Sequence, residues 1–163
     1  MSKLFFRYGA MNSGKSTALL QVAHNYEERG QSVVVVKPAL DTKGHNQIVS
    51  RLGVNRTADI LLAAGQDLRG KVEELRQNRA SSQSALACVL IDEAQFLEPA
   101  QVDAALEIAV LDDLPVVAFG IRTDFRRRAF PGSLRLLEVA HSLEEMKTIC
   151  RCGEKAIFNA RLG

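Results

Sequence analysis

Cysteine is scarce in this sequence. Three of them in a chain of 163 residues, an odd number, argue against a disulfide framework. No apolar run approaches the roughly 20 residues that a membrane-crossing helix needs, so no membrane partner is expected. Neither sign of charge dominates. Lys and Arg number 21 against 19 Asp and Glu, for a net charge of +2, which is too balanced for a dedicated DNA-binding protein or a membrane-surface binder. Aromatic residues make up only 6%, and no platform for stacking bases is evident. There is no internal repeat and no low-complexity segment. What is present is a globular composition, 47% hydrophobic and 25% charged, which excludes disorder along the whole chain. The length can bury roughly two-thirds of the unfolded surface without covalent staples. The opening MSKLFFRYGAM has an apolar stretch too short for a signal-peptide core and runs straight into a glycine loop, so a cytoplasmic location is expected.

The pattern alternates buried strands with helices. Leu4 to Tyr8 reads as a short strand ending at Gly9, and residues 15–29 as a helix with Ala18, Leu19, Val22 and Ala23 at helical spacing and Gly30 as its stop. The β-branched run at 32–37 predicts a strand buried on both faces and ended by Pro38. Residues 39–65 suggest a loop, a weak strand, and then a short helix or strand. A charged helix is expected over 66–79, weakened by Gly70, and a polar loop over 80–84. Further strands are predicted at 86–92 and 115–120, and helices at 99–111 (with Pro99 in its first turn) and 132–140. A ribbon of strands around Cys150 and Cys152 is expected over 147–161. The fold class is therefore α/β with a mostly parallel sheet. A composition shift near residue 142 suggests a main domain over 1–142 and a small appendage over 143–163. Cys88, in the run ALACVLI, reads as a small core residue.

The segment Gly9-Ala10-Met11-Asn12-Ser13-Gly14-Lys15-Ser16 matches G-x-x-x-x-G-K-[ST]. Such a loop wraps a phosphate chain with backbone N–H groups pointing inward, which side chains at Gly9 and Gly14 would obstruct. Lys15 would reach the β- and γ-phosphates, and the Ser16 hydroxyl would ligate Mg²⁺. The helix opening at Lys15 adds its partial positive charge. A chance glycine turn is the bland alternative, but the motif falls between a predicted strand and a predicted helix, as its function requires.

The strand at 86–92 runs into Asp92-Glu93-Ala94-Gln95-Phe96. A carboxylate at the carboxyl end of a buried strand faces the ligand crevice of an open α/β sheet. Asp92 suits a Mg²⁺ ligand, and Glu93 a base acting on an attacking hydroxyl or water. The bland alternative is a polar strand cap. Beside a phosphate loop, the pair points to an ATPase or a phosphotransferase.

The segments GAMNSGKSTALL, VLIDEAQFL, GIRTDF followed by Phe130, and KTICRCG followed by RLG stand in the order seen in the cellular type II thymidine kinases, and the chain resembles that family, most closely its bacterial branch. The resemblance implies a RecA-like P-loop domain with a small zinc-bearing lasso domain, and transfer of the ATP γ-phosphoryl group to the 5′-hydroxyl of thymidine, giving dTMP. It implies a homotetramer inhibited by dTTP. It assigns ATP binding to Gly9 through Ser16 and to Asp92, Glu93, Ala94 and Gln95, with Glu93 as the catalytic base. It places Gln95 and Phe96 in or near the nucleoside and phosphate cleft. Asp41 matches an acidic residue of the metal and phosphate network, and Lys43 stands where the family often has Arg. The thymine pocket would draw on Met11, Ile121, Asp124, Phe125 and Phe130, in keeping with the apolar and aromatic walls a thymine ring needs. Phe125 and Phe130 also admit a plain core reading. Arg161 matches a lasso-stem arginine that approaches the phosphate site.

Cys150 and Cys152 supply only half of the four ligands a structural zinc takes. In the family the second pair lies downstream of RLG, past Gly163 where this sequence stops, so a half site in a partial lasso domain and no stable zinc at all are both open. His141 is near in sequence, but nothing in the sequence places it at such a site. Arg126-Arg127-Arg128 reads as a solvated or phosphate-neutralising patch rather than a nucleic-acid contact. Two other functions stay open on residues alone: another small RecA-like P-loop transferase, such as a corrinoid adenosyltransferase, or a nucleotide-binding switch without turnover.

Overall fold

The computed structural model describes residues 1–9, 14–39, 47–49, 55–79, 85–122, 130–146, 148–149 and 155–156. In chain order they form β1 (Leu4–Gly9), α1 (Lys15–Glu28), β2 (Ser32–Pro38), β3 (Gln47–Val49), β4 (Asn55–Thr57), β5 (Ile60–Leu62), α2 (Leu68–Arg79), β6 (Leu86–Ile91), a 3-10 turn (Ala94–Phe96), α3 (Pro99–Val110), β7 (Val116–Ile121), α4 (Pro131–Val139), β8 (Ser142–Glu145), β9 (Thr148–Ile149) and β10 (Lys155–Ala156).

Six strands form one sheet in the order β5-β2-β6-β7-β1-β8, and every pairing in it is parallel. The α/β expectation with a mostly parallel sheet therefore holds. Alternation along each strand sends side chains to two cores. Leu4, Phe6, Val34, Val36, Val89, Ile91, Val116 and Ala118 face one, with Leu68 and Val72 of α2, residues of α3, and Leu136 of α4. Val33, Val35, Cys88, Leu90, Val117 and Phe119 face the other, with Leu19 and Ala23 of α1. Helices on both faces bury most of β2 and β6 and all of β7, which is why those strands read as unbroken apolar runs. Cys88 is a fully buried core residue, as its setting suggested.

Local chemistry sets the element ends. The predicted helix at 66–79 begins at Leu68 because the Asp67 carboxylate accepts the backbone N–H groups of Arg69 and Gly70, both at 3.2 Å. Gly70 fits beneath that cap: a Cβ there would lie 3.0 Å from Asp67 Oδ2. Pro115 lacks an N–H and serves only as an acceptor, for Val89 N–H at 2.9 Å, so β7 starts one residue later than predicted. Pro131 opens α4 one residue earlier than predicted, in the first turn where its missing N–H costs nothing.

Of the ambiguous stretch 39–65, Ile60–Leu62 is a strand rather than a helix. It pairs with the end of β2 and buries Ile60 and Leu62. β3 and β4 form a separate antiparallel pair. β8 was not anticipated. It extends the main sheet through Glu145 by pairing with β1, past the composition shift near residue 142. β9 and β10 pair antiparallel, the described part of the ribbon expected around the cysteines.

Candidate active site

In a parallel sheet all carboxyl ends lie at one edge, and that edge gathers the candidate residues. β1 ends at Gly9, whose register partner on β7 is Ile121. β6 ends at Ile91, level with Ala118 of β7 and Val36 of β2. β7 thus separates the phosphate-loop strand from the acidic strand. Gly14 has φ 83, in the left-handed region that glycine occupies without steric cost, and α1 begins at the next residue, Lys15. Ala10, Met11, Asn12 and Ser13 lie outside the described residues, as do Asp41, Lys43, Asp124, Phe125, the run 126–128, Cys150, Cys152 and Arg161.

Asp92 is only 4% exposed, and its backbone N–H donates to the Val36 carbonyl at 2.9 Å. Burial, with the neighbouring Glu93 charge adding to it, pushes the Asp92 carboxyl up to about 6; the positive charges of Lys37 and Lys15 act against that rise. Lys15 of the phosphate loop and Asp92 of the acidic strand therefore share one electrostatic site. Lys37, at the end of β2, also belongs to this site. The sequence reading missed it because a lysine late in a buried strand looks like a solvated strand end.

Glu93 has φ 55 and ψ 39. A left-handed conformation at a residue with a Cβ costs about 1–2 kcal/mol, so the surroundings must hold it. They do so by gripping the turn that follows. Gly120 of β7 lies under it: a Cβ there would stand 2.7 Å from Gln95 Oε1 and 3.1 Å from Gln95 N. Gly132 of α4 lies on its other side: a Cβ there would stand 2.5 Å from the Leu97 carbonyl oxygen, 2.8 Å from that of Ala94 and 3.0 Å from that of Gln95. Gly120 and Gly132, both distant in sequence from the turn, let β7 and α4 close on it.

Ala94 is fully buried and Gln95 is 4% exposed. Gln95 Oε1 accepts the Ile121 N–H at 3.3 Å, and Gln95 Nε2 donates to Glu93 Oε2 at 3.3 Å. The Ser133 hydroxyl, buried under α4, donates to the Ile121 carbonyl. Ile121 is thus held at both backbone groups where the chain leaves β7. Phe96 is 39% exposed and meets Phe130 edge to face, with ring centroids 5.6 Å apart. Of the predicted thymine pocket, Ile121 and Phe130 stand beside the Glu93 turn, Ile121 through its N–H to Gln95 and Phe130 through its ring contact with Phe96, the residue expected in or near the nucleoside and phosphate cleft. His141 is occupied elsewhere, its Nδ1 accepting the Leu4 N–H at 2.9 Å at the opposite end of β1.

Among the described residues no cluster of three or more His, Cys, Asp or Glu is placed to hold a metal. No described helix is long and apolar enough to cross a membrane.

A model of the thymidine kinase family matches residues 2–163. The chain is 50% identical over 163 residues to a thymidine kinase of Idiomarina loihiensis, covering 99% of this chain and 81% of that protein. It is 47% identical over 163 residues to one of Rhizobium meliloti, covering 99% and 82%, and 45% identical over 163 residues to one of Enterobacteria phage T4, covering 99% and 81%. Similarity that runs the length of the sequence, and so takes in both the phosphate loop and the acidic turn, makes this chain a member of the thymidine kinase family.

Proposed function

We propose that this chain transfers the γ-phosphoryl group of ATP to the 5′-hydroxyl of thymidine, giving dTMP. The observation that carries the reading is that the start of α1 at Lys15 and the Asp92-Glu93 pair lie at the same carboxyl end of the parallel sheet, with the Lys15 charge acting on Asp92, in a chain of the thymidine kinase family. The phosphate chain of ATP lies in the loop from Gly9 to Ser16, and Lys15 balances charge that develops on the transferred group. Glu93 takes the proton of the 5′-hydroxyl as that oxygen attacks. Met11, Ile121, Asp124, Phe125 and Phe130 form the walls for the thymine ring, with Gln95 and Phe96 in or near the nucleoside and phosphate cleft. Asp41 and Arg161 act on the phosphate side.

The donors present fit Mg²⁺. The Ser16 hydroxyl and the buried Asp92 carboxyl are hard oxygen ligands, and Mg²⁺ is commonly held by one or two carboxylates with water and substrate phosphate. When bound, the ion neutralises charge on the phosphates. Cys150 and Cys152, between β9 and β10, would give two thiolates to a structural zinc in a small second unit. A homotetramer, inhibition by dTTP and a cytoplasmic location complete the proposal.

The test is dTMP formation by the unaltered chain and by Glu93→Gln. The reading expects loss of about 10²- to 10⁴-fold in rate with ATP affinity nearly unchanged. A variant that turns over normally would remove Glu93 from the chemistry. Loss of ATP binding together with activity would make it structural.

A further inference from the structure

We infer that Ser133 is a positioning residue for the base pocket: its buried hydroxyl fixes the backbone of Ile121 and so sets the direction of that pocket wall. The inference deepens the phosphoryl-transfer reading and rests on it. Ile121 closes β7 and is the register partner of Gly9, the last residue of β1. The ladder between the two strands ends at this pair, and side chains from other elements hold the strand end. The Ile121 N–H donates to Gln95 Oε1 at 3.3 Å, and the Ile121 carbonyl accepts from the Ser133 hydroxyl, 12 residues further on. Both peptide planes that flank Ile121 are thus fixed, and with them its φ and ψ. Isoleucine is β-branched and stiff at χ1, so its side chain goes where the backbone sends it.

Ser133 is the third residue of α4, and its side chain reaches a neighbouring strand. It is fully buried. Burying a hydroxyl costs free energy unless it is paired, and alanine suits a helix better than serine does. Helix stability therefore does not account for a serine at this place; the carbonyl it holds does. The Leu134 N–H donates to the Phe130 carbonyl at 2.8 Å, so Phe130 and Ser133 belong to one helical turn. One turn of α4 thereby carries one pocket wall, Phe130, and orients the other, Ile121.

The test removes a single oxygen. With ATP and thymidine, Ser133→Ala is expected to raise KM for thymidine about 3- to 10-fold, the worth of one hydrogen bond. A loss of pocket binding leaves kcat and KM for ATP within about twofold of the parent. Asp67→Ala, which removes the cap of α2, lowers stability without touching the pocket and should leave both KM values alone. In an Ile121→Ala background, Ser133→Ala should raise KM for thymidine no further, because its effect passes through the Ile121 side chain.

The inference is overturned by an unchanged thymidine KM, by equal rises in both KM values, by a loss confined to kcat, or by effects that multiply in the double variant. If the unaltered chain phosphorylates no nucleoside, the proposed function fails by itself. The anchor is then read by hydrogen exchange at the Ile121 backbone amide, expected to be faster in Ser133→Ala than in Asp67→Ala. Equal exchange in the two variants would overturn the inference.

Discussion

Replacing Gly132 by alanine adds one methyl group at the contact between α4 and the Glu93 turn. The new Cβ would stand 2.5 Å from the Leu97 carbonyl oxygen, about 0.9 Å short of ordinary contact, and within 3.0 Å of two more carbonyl oxygens. All three are backbone atoms, so no side chain can swing aside. Either α4 or the turn must shift. Overpacking of this kind costs about 1–3 kcal/mol, which outweighs the helix-propensity gain of roughly 1 kcal/mol for alanine over glycine. In a chain of this size that corresponds to a melting temperature lower by several degrees, about 2–4 °C per kcal/mol. The turn carries Glu93 and Gln95, and a displacement approaching 1 Å costs on the order of 100-fold in rate. Thermal unfolding followed by circular dichroism, with kcat from dTMP formation, measures both effects. Gly30→Ala is the control, since it has a positive φ but nothing within 4 Å of its Cβ; it should lower stability slightly and leave kcat alone. A Gly132→Ala protein that melts and turns over like the parent would refute the claim that α4 grips this turn.

Three further outcomes are expected. Lys15→Ala should slow phosphoryl transfer and weaken ATP binding; an unchanged rate removes Lys15 from the mechanism. Asp92 has a folded-state pKa raised to about 6, above the usual carboxylate value near 4, so the folded protein binds its proton more tightly than the unfolded chain does. Its ionisation therefore lowers the stability of the metal-free protein as pH rises through about 4 to 6. Asp92→Asn should raise the melting temperature at pH 7.5 without Mg²⁺, with the gain vanishing near pH 4, while activity is lost; a gain that grows on acidification would contradict the sign. Asp67→Ala removes the carboxylate that caps α2 and should cost about 1 kcal/mol by urea denaturation, with kcat unaffected.

The central sheet was legible because β2, β6 and β7 are buried on both faces, and burial on both faces leaves an apolar run in the sequence. β8 was not legible. Ser142-Leu143-Glu144-Glu145 lies at the sheet edge with two of its side chains exposed, so its pairing with β1 leaves little trace in residue type. Ile60–Leu62 stayed ambiguous because three residues are too few to separate period 2 from period 3.6.

The site divides along the same line. Gly14, Lys15, Ser16, Asp92 and Glu93 were readable because their spacing is local. The grip on the turn was not. Gly120 and Gly132 gain meaning only when β7 and α4 fold onto Ala94 to Leu97, and the Gln95 bond to Ile121 spans 26 residues. Nor does a sequence announce that a glutamate adopts a positive φ. Those features are long-range consequences of packing, and a pattern of residue types does not encode them one at a time.

The most direct test of the account is ATP-dependent phosphorylation of a nucleoside panel by this 163-residue chain, with thymidine first and dTTP as competitor. The account predicts dTMP, formed with ATP and Mg²⁺ and suppressed by dTTP. Bound ATP without any product from thymidine, or product from another nucleoside alone, would contradict it.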